Sequence, residues 1–231
     1  MSEKKKIGVL LSGCGVYDGA EIHESVLTLL AIAEAGAEAV CMAPDKAQHH
    51  VVNHLTGQEM PETRNVLTEA ARIARGDIRD LATVSAIDID ALVITGGFGA
   101  AKNLTKWAFS GPDGAIDTEV QRLVRDIVAA RRPVVGLCMG PTVIAKALEG
   151  TSVHASLSVG STAEASPYDI AAISAGMEKA GAKAQLRTIR QVEVDADNLI
   201  ISAPCYMMEG GVLEVRENIK QAIDALMTLL K

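Results

Sequence analysis

Aromatic side chains are scarce in this chain: one tryptophan, two phenylalanines and three tyrosines, 3% of 231 residues. So thin a supply leaves little to stack on bases or sugars. Positive charge is short as well. Lysine and arginine total 22 against 29 acidic residues, a formal net charge of −7, which argues against the clustered basic surface that phosphate backbones need. The four cysteines, Cys14, Cys41, Cys138 and Cys205, show no C-x-x-C spacing, so neither a disulfide framework nor a structural zinc site is expected. No run reaches the ~18 consecutive apolar residues of a membrane span. The first strand is not followed by G-x-G-x-x-G, so no dinucleotide is expected, and there is no internal repeat or linker. These absences leave a reducing, cytoplasmic setting, no nucleic acid and no membrane as partners, no metal, no cofactor, and a small neutral or polarised substrate.

The N-terminus holds a trap. Lys4-Lys5-Lys6 followed by I-G-V-L-L-S-G-C looks like a lipoprotein signal ending at Cys14. Its apolar part, Ile7 to Leu11, is shorter than the roughly 7 to 15 residues such a signal needs, and it reads as a first strand. From there strands and helices alternate. Glu21 to Ala35 has helical spacing at Ile22, Val26, Leu29, Leu30 and Ala33, with Gly36 as its stop. Ala39 to Met42, Ala91 to Ile94, Pro133 to Leu137 and Leu199 to Ser202 are short strands without polar alternation, the pattern of a parallel sheet covered on both faces. Glu62 to Arg75, Asp117 to Ala130, Tyr168 to Ala180 and Val212 to Leu230 read as helices. Thr151 to Val159 reads as a strand, Lys183 to Val194 as β structure, and Pro44 to Pro61 as irregular. The order predicts one α/β domain over residues 1–231, a doubly wound and mostly parallel sheet.

In such a sheet the functional crevice lies beyond the C-terminal ends of the strands, and three unusual loops fall there. The first is Ser12 to Gly19. The second is Gly96 to Ala100. The third is the sharp strand-to-helix turn at Cys138, framed by Gly136 and Gly140, with Pro141 suited to the first turn of a helix. A nucleophile elbow puts its reactive residue at such a bend. The helix N-terminus favours thiolate and can bring a cysteine from about 8.5 down to roughly 3.5 to 7.5; the plainer alternative is a small core hydrophobe. Gly96, Gly97 and the Met139 N–H are candidate oxyanion donors. Phe98, next in the same loop, and Cys14, in the first loop, are assigned to substrate binding, with Cys14 also a candidate resolving thiol.

A proton carrier is required. None of the five histidines, His23, His49, His50, His54 and His154, directly follows Cys138. His154 is about a strand away, and His50 and His54 would share a face only if helical. Glu24, in the first turn of the first helix, is the better candidate for acid and base, because burial beside a thiolate would raise its pKa. Glu21 competes for the helix N-terminus.

G-L-C-M-G-P-T around Cys138, I-T-G-G-F-G-A-A-K-N-L from Ile94, and L-S-G-C-G-V-Y-D-G-A-E-I-H-E from Leu11 to Glu24 together resemble the ThiJ/PfpI superfamily of glutamine-amidotransferase-like proteins, and most closely its ElbB group, named for isoprenoid biosynthesis and described as glyoxalase-like. The similarity extends over nearly the whole chain. It implies a flavodoxin-like α/β/α sandwich, a homodimer, and an elbow cysteine paired with a first-helix glutamate, positions matched by Cys138 and Glu24. Met139 stands where the protease-like branch has a histidine, which departs from peptidase chemistry. The expected activity is a cofactor-independent, glyoxalase-type lyase converting methylglyoxal or glyoxal to lactate or glycolate. The alternatives are a redox-sensing or stress-response protein using the same cysteine, and an amidotransferase-like hydrolase, which needs a histidine near the sulfur.

Overall fold

The computed structural model describes residues 4–230. In chain order the elements are β1 (Lys6–Leu10), α1 (Ile22–Glu34), β2 (Glu38–Ala43), a hairpin of β3 (Val52–Asn53) and β4 (Gln58–Glu59), α2 (Val66–Ile73), β5 (Arg79–Asp80), β6 (Ala91–Ile94) and the short α3 (Trp107–Ser110). Then come α4 (Thr118–Ala129), β7 (Val134–Leu137), α5 (Gly140–Leu148), β8 (Ser156–Gly160), α6 (Ile170–Lys179), β9 (Lys183–Leu186), β10 (Glu193–Asp195), β11 (Ile200–Ala203) and α7 (Val212–Leu229). Seven strands form the main sheet in the order β10-β11-β7-β6-β1-β2-β5. All are parallel to their neighbours except the edge strand β10, which pairs antiparallel with β11. Helices α1 and α7 pack together on one face, α4 and α5 on the other. This is the flavodoxin-like α/β/α arrangement.

Why the centre holds is plain from its residues. β6, β7 and β11 are buried along their whole length, as an apolar, β-branched run between two helical layers must be. The boundaries of the helices follow their caps. Asp117 accepts hydrogen bonds from the Glu119 and Val120 N–H groups and opens α4. Asn65 accepts from the Thr68 N–H and opens α2, so the helix expected from Glu62 begins only at Val66, residues before a cap being extended.

Three further expectations need correction. Residues 151–155 precede β8 rather than belonging to it, and the β structure expected over Lys183 to Val194 breaks into β9 and β10. β8 and β9 leave the main sheet and pair with each other in parallel, with a register shift between Leu157 and Gly160. The third concerns α1, whose buried residues are Glu24, Ser25, Thr28, Ala31 and Ile32, while Ile22, Val26 and Leu30 lie exposed. A polar face can turn inward here because the Ser25 hydroxyl donates to Glu21 O at 2.6 Å and that of Thr28 to Glu24 O at 2.7 Å, satisfying both within the helix.

Candidate active site at the strand-to-helix elbow

The three loops at the C-terminal edge of the sheet meet. Glu21 N–H donates to Gly96 O (3.1 Å), Phe98 N–H to Val16 O (2.8 Å) and Gly99 N–H to Gly19 O (2.8 Å), lacing the first glycine-rich loop to the second. Asn103, in a π-type turn over Ala100–Leu104, donates to the carbonyls of Ser12 and Asp18, both at 2.9 Å. The third loop is anchored from the neighbouring strand, the Cys138 N–H donating to Ala203 O at 2.9 Å.

Cys138 occupies the bend with φ 56°, a left-handed conformation costly for any residue with a Cβ and one of the marks of a strained functional turn. Gly96 passes directly over it. A Cβ built on Gly96 would run into Cys138 Cβ, Cys138 Sγ and Glu24 Oε2; glycine is therefore the residue that lets the thiol and the carboxyl group converge. The backbone N–H groups of Gly97 and Met139 act on the Cys138 thiol in the direction of a lower pKa. Both are among the residues expected to supply donors.

Glu24 comes to the site because Glu21 takes the cap. The Glu21 carboxylate accepts the Glu24 N–H at 2.6 Å and closes the start of α1, leaving the Glu24 side chain fully buried. Its Oε1 accepts the Tyr206 N–H at 3.2 Å; its Oε2 is buried without a well-formed hydrogen bond and lies toward the sulfur. Burial, and after it the charge of Glu21, push the Glu24 pKa up to about 8, against the opposing pull of the Tyr206 N–H, Cys138 and the Gly96 N–H. A carboxyl group so placed keeps its proton at neutral pH.

The state of the thiol differs from expectation. Cys138 is only 5% exposed, and burial together with Glu24 drives its pKa well above the ordinary thiol range, the Gly97 and Met139 N–H groups opposing without reversing the rise. The resting residue is a thiol, not the open thiolate that a helix N-terminus alone predicts. Desolvation outweighs the helix dipole because the elbow lies beneath neighbouring loops.

Cys14 falls elsewhere. It is half-buried, its charged neighbours are Glu69, Arg72, Asp18 and Arg64, and it does not line the cavity at Cys138; the loop carrying it turns the thiol toward α2. The sulfur beside the elbow belongs instead to Cys205, fully buried, at φ 49°, and close to both Glu24 and Cys138. Its N–H donates to Asn218 Oδ1 at 2.9 Å, and Asn218 Nδ2 donates to Gln191 O at 2.8 Å. His50 and His54 are not on a helix; His50 packs against His49 and Phe109, and His54 Nε2 accepts the Tyr17 N–H at 3.2 Å. No cluster of three or more histidine, cysteine, aspartate or glutamate residues suited to a metal occurs among the described residues.

A cavity of about 180 Å³ opens onto Cys138. Phe98 lines it, with Glu21, Gly97 and Met139. Trp107, Tyr168 and Tyr206 also line it and were missed. Each lies on a chain segment outside the three loops singled out by sequence. The stretch after β11, Pro204-Cys205-Tyr206, carried a legible signal, since every parallel strand delivers a loop to this edge. Among the described residues no histidine lines the cavity; His23 reaches its wall indirectly, Nδ1 lying 2.9 Å from the Tyr206 hydroxyl, and His154 is bonded to Gly181 O.

A parallel sheet with a cysteine elbow and a buried glutamate beside it defines the amidotransferase-like class of α/β proteins. No family model matches the chain. Relatives do. It is 38% identical over 226 residues to the human glutamine amidotransferase-like class 1 domain-containing protein 3, mitochondrial, covering 97% of this chain and 83% of that one. To the rat ES1 protein homolog, mitochondrial, it is 36% identical over 228 residues, 98% and 84% of the two chains. It is also similar to the crystal structure of an isoprenoid biosynthesis protein with an amidotransferase-like domain from Ehrlichia chaffeensis, with a TM-score of 0.88, 30% identity, and 98% and 100% of the two chains covered. The chain belongs to this ES1 and ElbB branch of the glutamine-amidotransferase-like, ThiJ/PfpI family.

The relatives overturn the cytoplasmic expectation, since both curated proteins are named as mitochondrial. The cysteine spacing on which that expectation rested does not single out one compartment.

Proposed function

We propose that Cys138 and Glu24 act as a catalytic pair on small carbonyl compounds, in a glyoxalase-type lyase reaction that needs no metal or glutathione. The observation that carries this reading is the buried Glu24 carboxyl group, with Oε2 unsatisfied beside the Cys138 sulfur and its pKa pushed up to about 8. A general acid and base is most effective near its operating pH. In the reaction, Cys138 sulfur bonds to the aldehyde carbon of methylglyoxal, and the thiol proton ends on the aldehyde oxygen as a hemithioacetal. Ionised Glu24 then takes the proton from that carbon, giving an enediolate, and returns it to the neighbouring carbon while the hydroxyl proton passes to the neighbouring oxygen, which leaves a thioester. Water cleaves the thioester, releasing lactate and restoring the thiol. One carbon is oxidised and its neighbour reduced, so the net change is addition of water and no external oxidant is involved. The Gly97 and Met139 N–H groups support the step in which oxygen beside the sulfur gains charge.

The test is lactate formation from methylglyoxal by the purified protein. Turnover that disappears in Cys138→Ala supports the proposal; no turnover, or equal turnover in the variant, removes it. The redox-sensing alternative is carried less well, because a buried protonated thiol is the slow form toward peroxide, and the hydrolase alternative lacks a histidine at the sulfur. A homodimer is part of the same proposal, and sedimentation equilibrium showing a monomer would remove that part.

A further inference from the structure

The chain has six aromatic residues outside histidine, and four of them, Phe98, Trp107, Tyr168 and Tyr206, line the cavity at Cys138. They arrive from three stretches of the chain, Phe98 and Trp107 lying in the first, Tyr168 and Tyr206 in the other two. Phe98 and Tyr168 meet edge to face, centroids 6.1 Å apart at 67°, a favoured aromatic geometry, and Ile173 and Val16 also line the cavity. A pocket made only for a three-carbon aldehyde has no use for such walls. An apolar protein cavity of about 150 Å³ suffices to hold benzene, and this one offers about 180 Å³.

Charge sharpens the choice. Among the described residues the cavity has no lysine, arginine or histidine in its lining, and its one carboxylate is Glu21, 8% exposed. Lys102 touches the Phe98 ring, its ammonium 5.2 Å from the centroid, and donates to Tyr17 O at 2.8 Å; it is not part of the lining. A substrate carboxylate or phosphate entering here would lose its water and meet a like charge without a partner.

We propose that the cavity selects an uncharged carbonyl compound bearing an aryl or similarly flat apolar group, whose ring lies between Phe98, Trp107, Tyr168 and Tyr206 while its carbonyl carbon faces the Cys138 sulfur. The preferred substrates are then aryl-substituted 2-oxoaldehydes, phenylglyoxal before methylglyoxal, with glyoxylate excluded. The turnover half of this rests on the lyase reading; the binding half does not. Phenylglyoxal plus water gives mandelate by the same internal exchange, the aldehyde carbon oxidised and the ketone carbon reduced.

Two measurements on the full-length protein separate the claims. Trp107 is the only tryptophan, so its fluorescence reports occupancy when unreactive probes are titrated. Benzamide is expected to bind at least tenfold more tightly than acetamide, from the extra apolar area buried, and benzoate at least tenfold more weakly than benzamide. Tyr168→Ala, on a loop at the pocket rim, should erase most of the difference between the two amides. In parallel, kcat/KM for phenylglyoxal should exceed that for methylglyoxal by tenfold or more. If benzamide binds as proposed and nothing is turned over, the lyase reading fails and the pocket assignment stands. If methylglyoxal is turned over at least as well as phenylglyoxal, and benzamide binds no better than acetamide or no better than benzoate, the pocket assignment is overturned and the lyase reading stands.

Discussion

At the N-terminal edge of the sheet, Lys6, Glu38, Asp88, Asp90 and Arg132 line a polar cleft of about 550 Å³, about three times the 180 Å³ of the apolar cavity at the opposite edge. The larger hollow has little left to offer a ligand. Asp90 accepts the Lys6 N–H at 2.8 Å, Asp88 accepts the Ser85 N–H and hydroxyl, both at 2.8 Å, and the Arg132 guanidinium is turned to the carbonyls of Ala86 and Ile89. At the smaller one a carboxyl oxygen is buried without a well-formed bond, beside a thiol that sits on a left-handed backbone. Chemistry is to be sought where a fold leaves groups in tension rather than where it leaves most room, since an unsatisfied buried group is costly and persists only when the surrounding structure imposes it.

The comparison can be broken most directly by substitution at each end. Cys138→Ala should lower methylglyoxal turnover by roughly a thousandfold or more, the scale set by loss of a nucleophile, while Glu38→Gln in the polar cleft should leave kcat/KM within about twofold. A catalytic loss from the Glu38 change would reverse the assignment. Next in size is Gly96→Ala. Its methyl group falls between thiol and carboxyl, so an activity loss of about a hundredfold is expected, with a lowered Tm in the same preparation; a variant with parental activity would mean that the two groups need not touch.

Stability against pH gives a third test. Glu24 has a folded pKa of about 8 against roughly 4.3 in an unfolded chain. Between those values the unfolded state has released a proton that the folded state keeps. Stability is therefore fully present below about pH 4.3 and falls by about 1.4 kcal/mol per pH unit until the folded group ionises near pH 8. Glu24→Gln removes that slope, so its Tm relative to the parent should climb between pH 5 and pH 8; parallel curves would show that Glu24 is charged in the folded protein. Activity carries the opposite sign. The ionised carboxylate is the base, so kcat should rise close to tenfold per unit up to about pH 8 and then level off. Smallest of all is Cys14→Ser, expected to change turnover by less than about twofold because that thiol faces α2.

Sequence periodicity exposed the central sheet because its strands are buried on both faces and therefore uniformly apolar. The same logic misled at α1, where Ser25 and Thr28, closed on their own backbone, turn inward with Ala31 and Ile32, while Ile22, Val26 and Leu30 point out. Cys138 and Glu24 were legible from the glycine frame, from the helix that follows and from family resemblance. Their protonation was not, because desolvation depends on what covers the elbow. Nor was the aromatic lining, since Trp107, Tyr168 and Tyr206 are brought together by chain segments that share no local pattern. The separate β8–β9 pair shows the same limit: a strand's residues tell of extended backbone more readily than of the partner it will find.

Asn218, deep in the final helix, gives the architecture a dependency that chain order conceals. Its amide fixes the Cys205 turn from one side and Gln191 from the other, and the residue after Cys205 supplies the N–H that holds Glu24. A helix nearly two hundred residues on thus sets the aim of a group in α1. A chain without α7 would keep Cys138 and Glu24 and lose the amide that ties the Cys205 turn to Gln191.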